Sequence, residues 1–240
     1  MMLPGTQSSS NSTRDKFGFE TRFRVLPRCF GNYRFRGEMF PVAEVEEIVI
    51  ANNTMPYEDY QACRDLHLTV EIFNNDSFFL DLIQYLARHE VLRSEFILAV
   101  HDRITTRHDV FSRLYSDYCD EEKRNLWGNT HDLEEFTQKP GVIQRYIEGE
   151  YGTNELYKYR SLAIFYQIEA LHQVAFEIAR DLLEQRGSLD EQAEQYLTEL
   201  CQFSLVRKRD VLDTSSTQRC TFHFDFPQLM DAKFAIDPYQ

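Results

Sequence analysis

Two hydrophobic periods divide this chain. Over roughly its first fifty residues apolar positions recur in steps of two, and from Pro56 onward in steps of three and four. Thr21-Arg22-Phe23-Arg24-Val25 alternates polar and apolar, and so does Tyr33-Arg34-Phe35-Arg36. The turn formers of Pro27-Arg28-Cys29-Phe30-Gly31-Asn32 lie between them, which predicts a hairpin with a longer loop. Val42 to Ala51, through Glu46-Glu47-Ile48-Val49-Ile50, reads as a third strand. Ahead of these, Met1-Met2-Leu3 is a short apolar run broken by Pro4-Gly5, as at a buried strand exiting into a turn. A polar stretch from Ser8 to Thr13 and a short helix from Arg14 to Gly18 follow.

The helical part opens with Thr54 as a cap, Pro56 in the first turn and Glu58 and Asp59 at the positive helix end. Tyr60, Cys63, Leu66, Val70 and Phe73 then share a face, and Asn74-Asn75-Asp76 ends the helix. Ser77 begins another, carrying Phe78-Phe79, Leu82-Ile83 and Leu86. Further helices are predicted from Ser94 to Ile104, from Val110 to Leu126 and around Val142 to Glu150; His131-Asp132 reads as a helix start. The longest runs from about Asn154 to Arg186, with Leu156, Tyr159, Ala163, Tyr166, Leu171, Val174, Ile178 and Leu182 on one face. Gly187 stops it, and Ser188-Leu189-Asp190-Glu191 is a capping box for a partner helix reaching about Arg209. After a polar break at Asp213-Thr214-Ser215-Ser216-Thr217, the alternation of Arg219 to Phe226 predicts a final strand. The fold class is therefore mainly α: a helical C-terminal domain over 53–240, preceded by a short α/β segment with a β-hairpin over 1–52.

Composition narrows the function. With 42% hydrophobic residues the chain can build a core, and a net charge of −13 disfavours nucleic acid and anionic membranes as partners. No apolar run approaches the roughly 18 residues of a membrane span, and no secretory signal is visible. Five scattered cysteines fit a reducing, cytoplasmic setting better than a disulfide framework.

Candidate chemistry is sparse. Arg22, Arg24, Arg28, Arg34 and Arg36 cluster in an otherwise acidic chain, and Arg24, Arg28 and Arg34 are the candidates for holding a phosphate or carboxylate. The alternative is that these arginines pair with Glu44, Glu46 and Glu47 on the neighbouring strand. Three His-Asp dipeptides, His101-Asp102, His108-Asp109 and His131-Asp132, invite comparison with helical metal-dependent phosphohydrolases, but Asp132 reads more simply as a first-turn acid. No nucleophile elbow, zinc-helix motif or phosphate loop is present, so no catalytic and no metal-ligating residue is assigned. Cys29, beside Arg28, lacks an identifiable base. His67 and His172 read as satisfied residues on helix faces.

The blocks Met2-Leu3-Pro4-Gly5-Thr6, Thr13 to Gly18, Thr21 to Gly31, Ala43 to Val49 and Asn53 to Asp76 together resemble the region downstream of the catalytic core in radical SAM proteins that carry an N-terminal cobalamin-binding domain. The likeness is good over about residues 1–110 and looser beyond. It implies that residues 1–52 are the tail of a partial TIM-type barrel plus the hairpin, with Pro4, Gly5 and Thr6 in the vicinity of SAM. The iron–sulfur cluster of that family needs Cys-x-x-x-Cys-x-x-Cys, whereas Cys29, Cys63, Cys119, Cys201 and Cys220 are far apart. Asp65-Leu66-His67 begins a cobalamin motif, but Val70 stands where its glycine belongs. The resemblance thus implies a C-terminal region that shapes the substrate pocket or covers the barrel, inactive alone. SAM, cluster and cobalamin would reside in the missing portion or in a separately encoded subunit. A free-standing helical interaction module and a metal-dependent phosphohydrolase are the other readings.

Overall fold

A computed structural model describes residues 2–106, 110–152, 154–209 and 217–239. His108-Asp109 and all of the polar break except Thr217 lie outside the described residues. Among those described the chain is mainly helical, with one two-stranded antiparallel sheet. α1 (Asn11–Phe17) precedes β1 (Glu20–Phe35) and β2 (Glu38–Ala51). Then come α2 (Tyr57–Phe73), α3 (Leu80–Arg88), α4 (Arg93–Thr106), α5 (Val110–Arg124), α6 (Thr130–Thr137) and α7 (Val142–Ile147). α8 (Glu155–Tyr166), α9 (Ile168–Gln185), α10 (Glu191–Arg209) and α11 (Phe226–Asp231) complete the order. The chain packs as two compact units, 1–65 with 115–159 and 66–114 with 160–240. The boundary expected at 52/53 falls inside the first unit, because the hairpin takes its apolar cover from helices far along the chain.

In the first unit β1 runs unbroken through the segment read as a loop. The turn lies instead at Arg36-Gly37, where both residues have positive φ (50° and 89°), the geometry of a tight two-residue hairpin. The expected second and third strands are therefore the end of β1 and the whole of β2. Pro27 cannot donate to the ladder, and the strand accommodates it as a large bulge. Val25 pairs with Val45, and the next pair is Phe30 with Ala43. Arg28 takes a φ of 68° within this bulge. Val25, Leu133, Val142 and Tyr146 form a buried cluster with Phe23, Phe30, Ala43, Val45, Trp127, Phe136 and Tyr151 packed on it, so α6 and α7 roof the base of the hairpin.

The second unit is built on α9, which buries Leu171, His172, Ala175, Phe176, Ala179 and Leu183 among others. The long helix predicted from Asn154 to Arg186 is two helices, broken at Gln167 (φ −130°, ψ 23°). Gly187, at φ 65°, ends α9 as expected: Ser188 N–H reaches Leu183 O and Gly187 N–H reaches Glu184 O, both at 2.9 Å. The cap of α10 is Asp190, whose Oδ1 accepts from Ala193 N at 2.8 Å, and not Ser188. The final strand is absent from the described residues. Phe222, Phe224 and Phe226 alternate because an extended segment lays its rings on α10: Phe224 meets Tyr196 at 5.0 Å and Phe226 stacks on Phe203 at 4.6 Å. α11 follows, capped by Asp225.

Polar groups also cross this core. His172 Nδ1 bonds Ile168 O at 2.8 Å, so it carries the proton, and Nε2 accepts from the Ser204 hydroxyl at 3.2 Å. Lys208 in turn donates to Ser204 and to Phe78 O. A second proton on Nε2 would face a hydroxyl already held by a cation, in a residue only 1% exposed. Burial, and then the Lys208 charge, push the His172 pKa down to about 4.

Two outcomes follow from these contacts. Asp190→Ala should cost about 1 kcal/mol in urea unfolding and Ser188→Ala only a few tenths; equal effects would return the cap to Ser188. His172 adds a pH dependence. Its folded pKa, about 4, lies below its unfolded value of 6.5, so its contribution is complete above the unfolded pKa and is lost as pH falls toward the folded one. The loss relative to His172→Gln should be about 3 kcal/mol, at about 1.36 kcal/mol per pH unit. Parallel stability–pH curves for the two proteins would contradict this.

Candidate functional site

The hairpin spreads its arginines along its length. Arg24 lies opposite Glu46 in the register and donates from Nε to Glu46 Oε1 at 2.6 Å. Glu46 is only 7% exposed, so Arg24 already neutralises a buried carboxylate. Arg22 bonds the carbonyl of Thr21. Arg28 is exposed on the bulge, 5.8 Å from the centre of the Tyr157 ring. Arg34, opposite Met39, and Arg36, in the turn, belong to the far end. The pairing with the neighbouring strand is thus realised at Arg24 and Glu46. Glu47 is taken by Arg14, whose two amino groups reach its oxygens at 2.6 and 2.5 Å and hold its carboxyl below the usual range. Arg24 and Arg34 do not converge on one patch.

Pro4, Gly5 and Thr6 form an exposed turn in which the Thr6 N–H and hydroxyl both bond Leu3 O, at 3.2 and 2.7 Å. Met2, buried, donates to Glu47 O at 2.7 Å and bridges the outer edge of β2. The predicted strand end is this single bridge. Of the His-Asp dipeptides, His101 Nδ1 meets Thr69 Oγ1 at 2.8 Å. Asp132 sits in the first turn of α6, capped by Asn129, as its position in sequence suggested. Among the described residues no group of His, Cys, Asp and Glu is arranged to hold a metal ion. All five cysteines are free thiols. Burial and the Asp65 carboxylate push the Cys119 thiol up to about 12, far from a reactive thiolate. Ser204, His172 and Lys208 have the types of a nucleophile site, but Ser204 and His172 are buried in a core, with His172 oriented by a carbonyl, and only Lys208 is partly exposed.

The feature that sequence reasoning missed is the contrast between the two halves of the hairpin. At the base, both edges are paired: Met2 covers β2, and Trp127 exchanges both backbone hydrogen bonds with Phe23 of β1, at 2.7 and 2.9 Å. Beyond the bulge, every residue from Asn32 to Val42 is exposed. The register places Tyr33 opposite Phe40, Phe35 opposite Glu38 and Gly31 opposite Val42. Tyr33, Phe35, Phe40 and Val42 therefore share one face of the tip, with Phe35 63% exposed. The signal in the sequence was Gly37, flanked by alternating runs on both sides.

The two kinds of arginine should respond differently to truncation. Arg24→Ala leaves Glu46 buried without its cation and should destabilise the fold by about 3 kcal/mol, whereas Arg34→Ala should stay within about 0.5 kcal/mol. Thermal unfolding of both variants is the check. In comparisons with known proteins, no family model and no curated protein matches this sequence.

Proposed function

We propose that this chain is a docking region that does no chemistry alone: the C-terminal part of a cobalamin-dependent radical SAM enzyme, seated against the catalytic barrel by the tip of its hairpin. The observation that carries this reading is the tip itself. Two strands with water on both faces are marginal, open strand edges invite pairing, and aromatic side chains gathered on one exposed face mark a binding surface. The resembling blocks supply the partner's identity, since in that family this segment follows directly after the barrel. On this reading SAM, the iron–sulfur cluster and cobalamin belong to the catalytic portion. Pro4, Gly5 and Thr6 lie near SAM, and Arg28 and Arg34, both exposed, are available to an anionic substrate group.

The test is co-expression with a separately encoded polypeptide that carries the Cys-x-x-x-Cys-x-x-Cys loop and the cobalamin-binding part. The wild-type chain should co-purify with it. The double variant Phe35→Asp, Phe40→Asp should keep its circular dichroism and bind at least about tenfold more weakly, because aromatic anchors carry most of an interface's energy. Unchanged binding by the double variant would remove the tip from the interface. No complex with the wild type would leave the free-standing interaction module as the better reading.

A further inference from the structure

The register of the hairpin decides which backbone groups of its tip are left unused. The two-residue turn at Arg36-Gly37 makes Phe35 and Glu38 a hydrogen-bonded pair, because the carbonyl before such a turn meets the N–H after it. Bonded and non-bonded pairs then alternate along an antiparallel ladder. Arg34 and Met39 are therefore a non-bonded pair, Tyr33 and Phe40 a bonded one, and Asn32 and Pro41 a non-bonded one. Pro41 fixes the same phase independently. A residue without an N–H fits the ladder only where that N–H would point away from β1.

The two outer edges of the tip consequently differ. Along β1, Asn32 and Arg34 each turn an N–H and a C=O outward. Along β2, Met39 does so, but Pro41 offers a carbonyl alone. A strand laid on β2 would bury one of its own carbonyls against Pro41 without a donor, which is costly. At the base both edges are already in use. Phe23 of β1 exchanges two bonds with Trp127, and Glu47 of β2 accepts from Met2. Beyond the bulge no described residue bridges either edge.

Side chains set the chemistry of the strand that fits. Residues directly opposite in neighbouring strands share a face and interact. Tyr33 and Phe35 lie on the apolar face of the tip. Arg34 lies on the other, with Asn32, Met39 and Pro41, none of them acidic. Arg34 is exposed and has no ion-pair partner among the described residues. A strand beside β1 thus meets two aromatic side chains and, between them, a guanidinium without a counter-charge.

We propose that the tip is completed by strand addition. The outer edge of β1, at Asn32 and Arg34, takes an extended partner segment in which acidic and apolar residues alternate, with an acid beside Arg34 and apolar residues beside Tyr33 and Phe35. This deepens the docking reading and rests on it for the identity of the partner. Arg34 then meets a partner carboxylate, and Arg28 alone is left for an anionic substrate group.

The probes are two synthetic peptides with acetylated and amidated ends, one alternating valine with glutamate and the other valine with lysine. With the glutamate peptide, the amide resonances of Asn32 and Arg34 in the isolated chain should shift saturably and their exchange should slow, while Met39 keeps its free values. The lysine peptide should bind about tenfold more weakly. Arg34→Pro removes one outward donor and leaves the β1–β2 bonds in place, Arg34→Gln removes the charge and keeps the donor, and Met39→Pro is the matching change on the other edge. Arg34→Gln should bring the two peptides together in affinity. Arg34→Pro should weaken the glutamate peptide by a further factor of about ten, and Met39→Pro should leave it unchanged. If Arg34→Pro loses its circular dichroism, the wild-type resonances and Arg34→Gln decide. No saturable shift, an equal shift at Met39, a preference for the lysine peptide, or equal losses from the two proline variants would each overturn the edge assignment. The co-expressed catalytic polypeptide separates the two claims. A complex that tolerates Arg34→Pro keeps the docking reading and overturns strand addition, whereas a peptide response without any complex supports the edge and removes the radical SAM partner.

Discussion

A two-stranded sheet cannot hold itself in water, and the first unit is arranged around that constraint. β1 and β2 are long for a hairpin, and only their base has neighbours. There, Phe23 and Val25 on one face find Leu133, Val142 and Tyr146, while Ile48 and Ile50 are buried on the other. Met2 and Trp127 close the two edges. The bulge at Leu26–Cys29 separates this covered base from a tip exposed on both faces. Five residue steps beyond Phe30, roughly 17 Å at about 3.4 Å per residue, the strand still carries an apolar face toward solvent. The docking proposal rests on that geometry.

Buried charge is the second organising feature, and arginines meet buried glutamates in both units, Arg160 holding Glu71 at 3.1 Å in the second. In the first, Arg24 and Arg64 pair with Glu46 and Glu122, and Glu155 accepts from the Asn125 amide in a recess it shares with Arg24. In the second, His172, Ser204 and Lys208 pass hydrogen bonds in one direction, and Lys208 ends 3.3 Å from the buried Asp81. Removing any one of these partners strands another polar group out of water, so the cost exceeds the worth of the bond removed.

Much of the helical part could be read from the sequence because periodicity and punctuation agree there. The three- and four-residue spacing of Leu171, Val174, Ile178 and Leu182 becomes one buried face of α9, and Gly187 ends it. The errors have local causes. Asp190 outcompetes Ser188 as a cap because its carboxylate reaches Ala193. Phe222, Phe224 and Phe226 alternate for a helix to receive, and period alone does not say whether the receiving surface is a sheet. Pro27 suggested a loop, but a bulge absorbs a missing donor without ending a strand. The candidate arginines were close in sequence, yet a strand spreads neighbours about 3.4 Å per residue and carried Arg34 away from Arg24. The open tip could not be read directly, since it depends on which long-range partners cover which face.

The central claim is that the tip is an unfilled interface. Hydrogen exchange across the hairpin measures this most directly, because it reports residue by residue which strand amides are held. In the isolated chain, amides at the base, from Arg22 to Val25 and from Val45 to Ile50, should be protected while those from Tyr33 to Val42 exchange rapidly. The catalytic partner should then slow exchange in the tip and leave the base unchanged. Protection of the tip equal to that of the base in the free chain, or a tip indifferent to the partner, would contradict the account.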